Sequence, residues 1–245
     1  RSTLFPYTTL FRSPYRAWHD LKEPLRKIRT FSSIINGKFK MEEEARFYFD
    51  KIDQSSERMN LLIEDLLNFS KLSSPSEFRE TDLNHILQEV LSDLELLIHE
   101  TDAEIASTPL PHVEVYPGLI RQAFQNLVSN ALKFAKAGSA PQIRITHEFA
   151  DELSFEAPAV NPGPFVRITV SDSGIGFDQR YGERIFLMFQ RLHDKGSYEG
   201  TGIGLTIVKK IIEKHHGIVT AEGETGKGSR FTMMLPVNQN QLNNR

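Results

Sequence analysis

Four polar side chains fall on one narrow face of a helix that the sequence predicts over residues 119–135. At about 100° per residue, these side chains form a stripe, and apolar side chains cover the broad opposite face. The stripe consists of Gln122, Asn126, Asn130 and Lys133. An asparagine carbonyl can ligate a hydrated Mg²⁺, and a lysine can neutralise a phosphate as a point charge. The stripe is therefore either a site for a metal–phosphate group or the exposed face of an amphipathic helix.

The segment DSGIGF, residues 172–177, has the composition of a turn that follows a strand. Asp172 ends the predicted strand, and Gly174 and Gly176 allow the backbone to come close to a flat ligand. The Asp172 carboxylate can accept a hydrogen bond from an exocyclic amine such as that of adenine. The sequence therefore offers an adenine-type contact at the end of this strand.

A second glycine segment, EGTGIGL at residues 199–205, leads directly into a predicted helix. Its glycines are Gly200, Gly202 and Gly204. Backbone amides and the helix N-terminus can face phosphate oxygens there. The segment lacks the lysine and the hydroxyl residue that a P-loop places at fixed offsets, and glycine-rich turns also occur for ordinary conformational reasons. Taken alone, it leaves a phosphate site and a plain turn both open.

The elements that must position these residues begin with two long amphipathic helices. Apolar residues spaced by threes and fours predict a helix over residues 14–36, with Gly37 as its stop. A pattern close to a heptad, with Ser56 in its seam, predicts a second helix over residues 42–72. A helical hairpin has a narrow core and usually needs a partner, so we expect a homodimeric four-helix bundle.

Serines and Pro75 interrupt the helical pattern between residues 73 and 80 and predict a linker. Beyond it, helices are predicted over residues 82–99, 119–135 and 204–215. Short extended pieces are predicted within residues 104–115, and strands over residues 142–149, 165–171, 218–221 and 229–235. Mixed strands and helices with hairpin-like pairs favour an α+β layer over a parallel doubly wound sheet.

The composition is that of an ordinary globular chain of 245 residues, 39% hydrophobic and 25% charged. The net charge of −3 does not indicate a nucleic-acid surface. No apolar run approaches the roughly 18 residues that a membrane-spanning helix needs, so we expect no membrane segment. The sequence has no cysteine, which excludes disulfides and suits a cytoplasmic protein.

Residues 1–13, RSTLFPYTTLFRS, resemble translated sequencing-adapter sequence and are left out of the fold prediction. A genuine short amphipathic lead-in is the alternative. If the adapter interpretation holds, the natural protein begins further upstream, and any domain before residue 14 would be missing from this chain.

Four motifs, in order along the chain, resemble the ATP-binding domain of histidine kinases. NLVSNALKF resembles the N-box, DSGIGF the first glycine box, RIFLMFQRL the phenylalanine box and GTGIGL the second glycine box. The same fold is shared by type II topoisomerase subunits, the Hsp90 chaperone and mismatch-repair ATPases. The resemblance spans roughly residues 82–237, and four ordered motifs are far more specific than any one of them.

The resemblance implies ATP and Mg²⁺ as ligands and a role for each matching residue. The implied nucleotide-binding residues are Asn130, Lys133, Phe134, Asp172, Gly174, Gly176, Gly200, Thr201, Gly202 and Gly204. Among them, Asn130 would ligate Mg²⁺, Lys133 would contact phosphate and Asp172 would bind adenine. Asn126 would lie near the phosphates and polarise the attack.

The remaining motif residues would shape the site rather than carry charge. By the resemblance, Gly174 and Gly176 would make room for the base. Phe186 and Phe189 would anchor a mobile lid that ends in the second glycine box. For these two phenylalanines, packing in the core is the simpler interpretation.

The N-terminal helix contains WHDLKEPLRKI, which resembles the phosphoacceptor box of the same family, especially its phytochrome-like, PAS-type soluble branch. By this resemblance His19 would be the nucleophile, attacking through a neutral ring nitrogen, and Asp20 would orient the imidazole. The implied function is ATP-dependent autophosphorylation on His19, followed by transfer to an aspartate of a response-regulator receiver domain. Without this context, a surface histidine would be the ordinary interpretation of His19.

The implied fold is α + α/β: a helical hairpin, forming a four-helix bundle as a dimer, followed by an α/β sandwich of the Bergerat type. The predicted parts are a dimerisation and phosphotransfer domain over residues 14–73, a linker over 74–81, an ATP-binding domain over 82–237 and a polar tail over 238–245. The linker would let the ATP-binding domain dock against His19.

One residue departs from the family pattern. Family members that also dephosphorylate their partner commonly have threonine or asparagine four residues after the phosphoacceptor, where this sequence has Glu23. A carboxylate repels a phosphoaspartyl group. We therefore expect weak phosphatase activity.

Two other functions compete with the kinase. A self-contained ATPase or chaperone-like switch would tend to carry a glutamate base where this chain has Asn126, and amides are poor bases. A scaffold that binds nucleotide without phosphorylating would show a lost histidine or a broken glycine box, and the sequence shows neither. The sequence leaves open the signal, the regulator, and whether transfer occurs within one subunit or between two.

Overall fold

The computed structural model describes residues 14–39, 42–71, 77–150, 165–190, 192 and 200–239. For residues 14–21, 65 and 67–71 it describes the backbone alone. The chain divides into two compact units, Arg1–Lys71 and Leu72–Arg245. The predicted lead-in over residues 1–13, part of the predicted linker and most of the predicted tail lie outside the described residues.

The first unit is a pair of helices, α1 (Pro14–Lys38) and α2 (Glu43–Lys71). Three polar pairs join them: Lys22 Nζ lies 2.8 Å from Glu64 Oε1, Arg29 Nη1 2.5 Å from Glu57 Oε2, and Asn36 Nδ2 3.4 Å from Asp50 Oδ1. Each advance of seven residues along α1 is matched by a step of seven residues back along α2. The helices are therefore antiparallel and in heptad register, which confirms the predicted hairpin.

Most apolar side chains of this hairpin are not buried within it. Among the side chains described in the unit, the buried ones are Leu25, Ser32 and Ser56. Large apolar side chains remain exposed on both helices: Ile28, Phe31, Ile34, Phe39, Phe47, Tyr48, Ile52, Met59 and Leu61. Ser56 thus lies in the seam as predicted, and the hairpin offers an extensive apolar surface.

The second unit contains four α-helices, two short 3₁₀ helices and seven strands among the residues described. Its α-helices are α3 (Leu83–Asp93), α4 (Glu95–Glu100), α5 (Pro117–Lys133) and α6 (Gly204–Lys214). Its strands are β1 (Arg79–Asp82), β2 (Glu104–Ser107), β3 (His112–Val115), β4 (Gln142–Ala150), β5 (Phe165–Asp172), β6 (Ile218–Glu224) and β7 (Gly228–Pro236). Apart from β1 and the division between α3 and α4, helices and strands fall where the sequence predicted them, with shifts at the ends.

The strands form one five-stranded sheet in the order β2-β4-β5-β7-β6 and a separate pair, β1-β3. In the large sheet β2 and β4 are parallel, and the other neighbours are antiparallel. The apolar faces of α3, α5 and α6 and alternate residues of β4 and β5 supply most of the buried side chains. One layer of helices therefore packs on one mixed sheet, and this confirms the predicted α/β sandwich.

Two local details differ from the sequence prediction. The helix predicted over residues 82–99 is divided at Leu94, which ends α3 and precedes α4. Residues 79–81, assigned to the linker, belong to strand β1, where Arg79 pairs with Val115 and Thr81 with Val113. Polar residues in a short strand carry little hydrophobic period, so the pairing with β3 was not visible in the sequence. Among the helices described, none is both long and apolar enough to cross a lipid bilayer.

Three aromatic rings meet between the end of α6 and the start of α5. Phe78 stacks on Tyr116 with ring centroids 3.9 Å apart, and His215 meets both rings at steep angles. His215 is fully buried. Its Nε2 accepts the Tyr116 backbone N–H at 2.9 Å, so its Nδ1 carries the proton and donates to the Ile211 carbonyl at 2.7 Å. Burial lowers the pKa of His215 to about 4, so the neutral ring is the native form near pH 7.

Acidification from pH 6.5 to 4 should destabilise this unit by up to about 3 kcal/mol through His215. In this window an unfolded histidine, with a pKa of 6.5, takes up a proton, and the folded His215, with a pKa of about 4, does not. The contribution is therefore complete above pH 6.5 and is lost as the pH falls. Urea unfolding of the wild type and His215→Gln across this range should show a shallower pH slope for the variant, because glutamine does not titrate.

His85→Gln is the matched control, because it removes an exposed histidine of the same unit, on α3, and leaves His215 and its surroundings in place. This variant should keep the wild-type slope. A slope in His215→Gln equal to that of the wild type would contradict the assignment of this pH dependence to the buried ring.

Candidate functional site

The polar stripe of α5 lies along the exposed side of that helix, opposite the core. The apolar face is buried and comprises Ile120, Ala123, Phe124, Leu127, Val128, Ala131 and Leu132. The stripe residues Gln122, Asn126, Asn130 and Lys133 are half-buried. Asn126 Nδ2 donates to the Gln122 carbonyl at 3.0 Å, which orients Oδ1 away from the helix axis. The structure thus confirms the predicted division of the helix into two faces.

The end of α5 is tied to the first glycine segment. The Ile175 backbone N–H donates to the Phe134 carbonyl at 2.9 Å. A Cβ at position 174 would overlap that same carbonyl and would lie 2.8 Å from Asp172 Oδ1. Lys133 Nζ lies 4.6 Å from the centroid of the Phe134 ring. The DSGIGF turn, Phe134 and Lys133 therefore lie side by side.

Asp172 lies at the end of β5 and is half-buried. Its Oδ1 accepts the N–H groups of Gly174 at 2.8 Å and Ser229 at 3.2 Å. Burial raises the pKa of Asp172, and the two backbone hydrogen bonds, the Ser229 side chain and the charge of Lys136 oppose the rise. Both backbone donors use the same oxygen, so Oδ2 can accept from a ligand amine. A half-buried carboxylate oriented in this way is suited to recognising a donor on a base.

Backbone packing explains the glycine at position 176. Gly176 has φ +63°, and a Cβ there would overlap the Glu224 carbonyl. The Gly226 N–H donates to the Ile175 carbonyl at 2.7 Å, so the β6–β7 turn lies against the first glycine segment. The nearest neighbours of Gly174 and Gly176 are thus the protein's own backbone. Room for a base beside them stays a prediction.

The second glycine segment runs beside the stripe of α5. A Cβ at Gly200 would lie 2.5 Å from Lys133 Nζ, and one at Gly204 would lie 2.9 Å from Asn126 Oδ1. Gly200 and Gly202 have φ of +146° and +77°, which favour glycine. Thr201 Oγ1 accepts the Ile203 N–H at 3.3 Å. The lysine and the first asparagine of the stripe therefore both face the segment that the sequence assigned to phosphate.

The donor chemistry of this cluster fits ATP and Mg²⁺. Among the residues described, no side chain caps the N-terminus of α6, so the N–H groups of its first turn can bind a phosphate. In the described part of the chain no three histidine, aspartate or glutamate side chains could hold a metal together. A cation here would depend on amide, phosphate and water oxygens, and that set suits Mg²⁺.

The structure brings most predicted site residues of the second unit into one cluster. The cluster comprises Asn126, Lys133, Phe134, Asp172, Gly174, Gly176, Gly200 and Gly204. Asn130 lies on the same stripe, and its backbone carbonyl accepts the Phe134 N–H at 2.9 Å. His19 and Asp20 lie in α1, in the other unit, where only the backbone is described.

Sequence reasoning missed two contacts beside the cluster. Ser229 donates its N–H to Asp172 although it lies 57 residues further along the chain. Thr206 donates its hydroxyl to the Phe186 carbonyl at 2.9 Å. The hydroxyl next to the glycine segment was the available signal for Thr206, whereas nothing in the local sequence marks Ser229.

Two families match the chain, one in each unit. Residues 17–75 match the His Kinase A (phospho-acceptor) domain. Residues 116–239, about half of the chain, match the Histidine kinase-, DNA gyrase B-, and HSP90-like ATPase family. The first match includes His19 and Asp20, and the second includes the whole cluster described above.

Relatives and solved structures agree with these matches. Cyanobacterial phytochrome A of Nostoc sp. (strain PCC 7120) is 36% identical over 227 residues, which are 91% of this chain and 28% of that protein. The adaptive-response sensory kinase SasA of Synechococcus sp. (strain JA-3-3Ab) is 33% identical over 230 residues, 89% of this chain and 57% of that protein. Full-length ShkA, solved in complex with AMPPNP, has a TM-score of 0.63 at 27% identity and covers 90% of this chain and 44% of its own.

The chain spans only 28% of the length of the cyanobacterial phytochromes that it matches. Its two matches nevertheless cover a phosphoacceptor domain and an ATPase domain in the family order. With the helical hairpin and the glycine-lined cluster, they show that the chain belongs to the sensor histidine kinases.

Proposed function

We propose that this chain transfers the γ-phosphoryl group of ATP to His19 and then passes it to an aspartate of a response-regulator receiver domain. The observation that carries the proposal is that Lys133 and Asn126 lie against the second glycine segment. A Cβ added at Gly200 would lie 2.5 Å from Lys133 Nζ, and one added at Gly204 would lie 2.9 Å from Asn126 Oδ1. This arrangement provides cationic, amide and backbone N–H groups for a triphosphate.

Each part of the nucleotide has a proposed contact. Asp172 Oδ2 accepts the exocyclic amine of adenine, and Phe134 packs beside the base. Lys133, Thr201 and the backbone of residues 200–204 bind the phosphates. Asn130 supplies an oxygen to Mg²⁺, which when bound neutralises charge on the phosphates.

Transfer to His19 requires alignment and charge stabilisation more than covalent help from the protein. A neutral ring nitrogen of His19 forms the nitrogen–phosphorus bond as the bond to the β–γ bridging oxygen breaks, and ADP leaves with that electron pair. Asp20 orients the imidazole and balances the positive charge that develops on it. Asn126, with its Oδ1 toward Gly204, polarises the attack. The receiver aspartate then takes the phosphoryl group and regenerates neutral histidine.

We further propose that the chain works as a homodimer. The exposed apolar side chains of α1 and α2, such as Phe31, Ile52 and Met59, would be buried by a second hairpin in a four-helix bundle. The proposed phosphotransfer domain is residues 14–73 and the proposed ATP-binding domain is residues 82–237, joined by a linker. Because ATP is the proposed phosphoryl donor, the cytoplasm is the compartment that we propose.

Incubation with γ-labelled ATP and Mg²⁺ tests the proposed function. We expect label on the protein that acid removes and base does not, as for a phosphohistidine. Chelation of Mg²⁺ with EDTA should abolish labelling. Nucleotide binding without any label, at concentrations where the chain is dimeric, would overturn the kinase in favour of a nucleotide-binding scaffold, and steady phosphate release without label would favour an ATPase.

Phosphatase activity toward the receiver domain should be weak and should rise on replacement of Glu23 by asparagine. The Glu23 carboxylate lies one helical turn after His19 and is half-exposed, so it presents negative charge to a phosphoaspartate, although Lys27 at 2.7 Å offsets part of that charge. An amide there can position a water, and we expect about a tenfold faster loss of phosphate from the regulator in the presence of ADP.

Lys27→Gln is the matched control for this effect, because it removes the lysine that pairs with Glu23 and leaves the carboxylate in place. Rapid dephosphorylation by the wild type would contradict the prediction. So would an equal gain in Lys27→Gln, since the carboxylate itself would then not be the cause.

A further inference from the structure

The hydroxyl of Thr206 joins the start of helix α6 to Phe186, which lies 20 residues earlier in the chain. Thr206 lies in the first turn of α6 and is 8% exposed. Its Oγ1 donates to the Phe186 carbonyl at 2.9 Å across 20 residues of sequence. Phe186 ends a short 3₁₀ turn, Arg184–Phe186, and is itself buried. The bond therefore holds the start of α6 to this turn inside the core.

A backbone contact closes the same region nearer the glycines. The Phe189 N–H donates to the Gly202 carbonyl at 3.0 Å, and a Cβ at Gly202 would lie 2.9 Å from the Gln190 carbonyl. Phe189 adopts φ +63°, which is unusual for a residue with a side chain. Two contacts thus hold the second glycine segment in place. The Gly202 carbonyl bonds to the Phe189 N–H, and Thr206, which follows the segment, bonds to the Phe186 carbonyl.

The position of this segment also determines its contact with α5. Gly204 is two residues before Thr206, and a Cβ there would lie 2.9 Å from Asn126 Oδ1. A small displacement of the first turn of α6 from Phe186 would change the spacing between the glycine segment and the polar stripe. Hydrogen bonds to phosphate weaken steeply with such displacements.

We propose that Thr206 is a positioning residue for nucleotide binding. Its hydroxyl, through the Phe186 carbonyl, holds the second glycine segment at the distance from Asn126 and Lys133 that a triphosphate requires. The proposal rests on the proposed function, because it assigns phosphate to that segment. A threonine that merely filled space would instead act through its methyl group and its volume.

Two substitutions separate these roles. Thr206→Val keeps the shape and removes the hydroxyl, and Thr206→Ser keeps the hydroxyl and removes the methyl group. In autophosphorylation by the full chain, we expect Thr206→Val to raise KM for ATP about tenfold with kcat nearly unchanged, because uniform binding is lost. The affinity for AMPPNP should fall by the same factor. Thr206→Ser should keep both the KM for ATP and the affinity for AMPPNP within about twofold of the wild type.

Thr232→Val is the matched control, since Thr232 is also a buried threonine, at 9% exposure, whose hydroxyl lies 3.4 Å from that of Thr169 in the sheet. It should leave KM for ATP unchanged.

Hydrogen exchange of the Phe189 amide without nucleotide gives a readout that does not depend on ATP. It should be faster in Thr206→Val and unchanged in Thr206→Ser.

Unchanged nucleotide affinity and unchanged exchange in Thr206→Val would overturn the proposal. Serine behaving like valine would also overturn it, because the hydroxyl would then not be the active group. If the wild type bound no nucleotide, the proposed function would fail, whereas faster exchange at Phe189 in Thr206→Val would still show that the hydroxyl holds the segment.

Discussion

Replacement of His19 by glutamine should reduce labelling from γ-labelled ATP by at least about 1000-fold, to the detection limit. Glutamine has no basic ring nitrogen, and its amide cannot attack phosphorus. His19 lies within the continuous helix α1, where glutamine is a good helix former. The hairpin should therefore persist, and the loss should report the chemistry of the side chain alone.

His85→Gln is the matched control, because His85 is an exposed histidine on helix α3 whose ring lies 3.3 Å from Glu89. This variant should label like the wild type, and His19→Gln should still bind AMPPNP with wild-type affinity. Persistence of acid-labile label in His19→Gln would place the phosphoacceptor elsewhere. Loss of AMPPNP binding in the same variant would show instead that the substitution damages the nucleotide site.

Helices with a clear hydrophobic period were predictable from the sequence. The burial of Phe124 and Leu127 and the half-exposure of Asn126 and Asn130 follow from a period of 3.6 residues. The hairpin of α1 and α2 follows from a near-heptad with Ser56 in its seam, which the structure buries. Such patterns are local, because the spacing of apolar residues along the chain determines which side chains are buried.

Long-range pairings were not predictable in the same way. Nothing in Glu104–Ser107 indicates that it pairs in parallel with β4, or that Phe78 stacks on Tyr116 across 38 residues. Strand order depends on connections and on the shape of the helical layer, and a four-residue strand carries almost no pattern of its own. The same limitation hid strand β1 within the predicted linker.

The candidate site shows both situations at once. The glycines and the strand-ending aspartate were identifiable by type, because few residues can provide a close backbone approach or a carboxylate acceptor. The contacts of these residues were not predictable, since Gly176 contacts Glu224 and Asp172 contacts Ser229, and both partners lie far along the chain. The residue types of the motifs can thus be predicted from the sequence. The packing that supports them depends on the β6–β7 turn, which comes into contact with them only in the folded chain.

Replacement of Asp172 by asparagine should weaken ATP binding by about 100-fold or more. An asparagine Oδ1 can still accept the N–H groups of Gly174 and Ser229, so the turn should keep its conformation. Its second atom becomes an NH₂ donor, which would face the amine of adenine donor to donor at a half-buried position. Titration calorimetry with AMPPNP on the full chain would measure the loss, and the unfolding midpoint would show whether the fold is kept.

Asp178→Asn supplies the control, because Asp178 lies six residues further on and also holds a turn, through Arg180 N–H at 3.0 Å. Its carboxylate is partly solvent-exposed, and the same chemical change should leave AMPPNP affinity within about twofold. Equal affinities for Asp172→Asn and the wild type would contradict the adenine contact. A loss of affinity together with a much lower unfolding midpoint would assign Asp172 to the support of the turn, because only a loss at unchanged stability isolates recognition of the base.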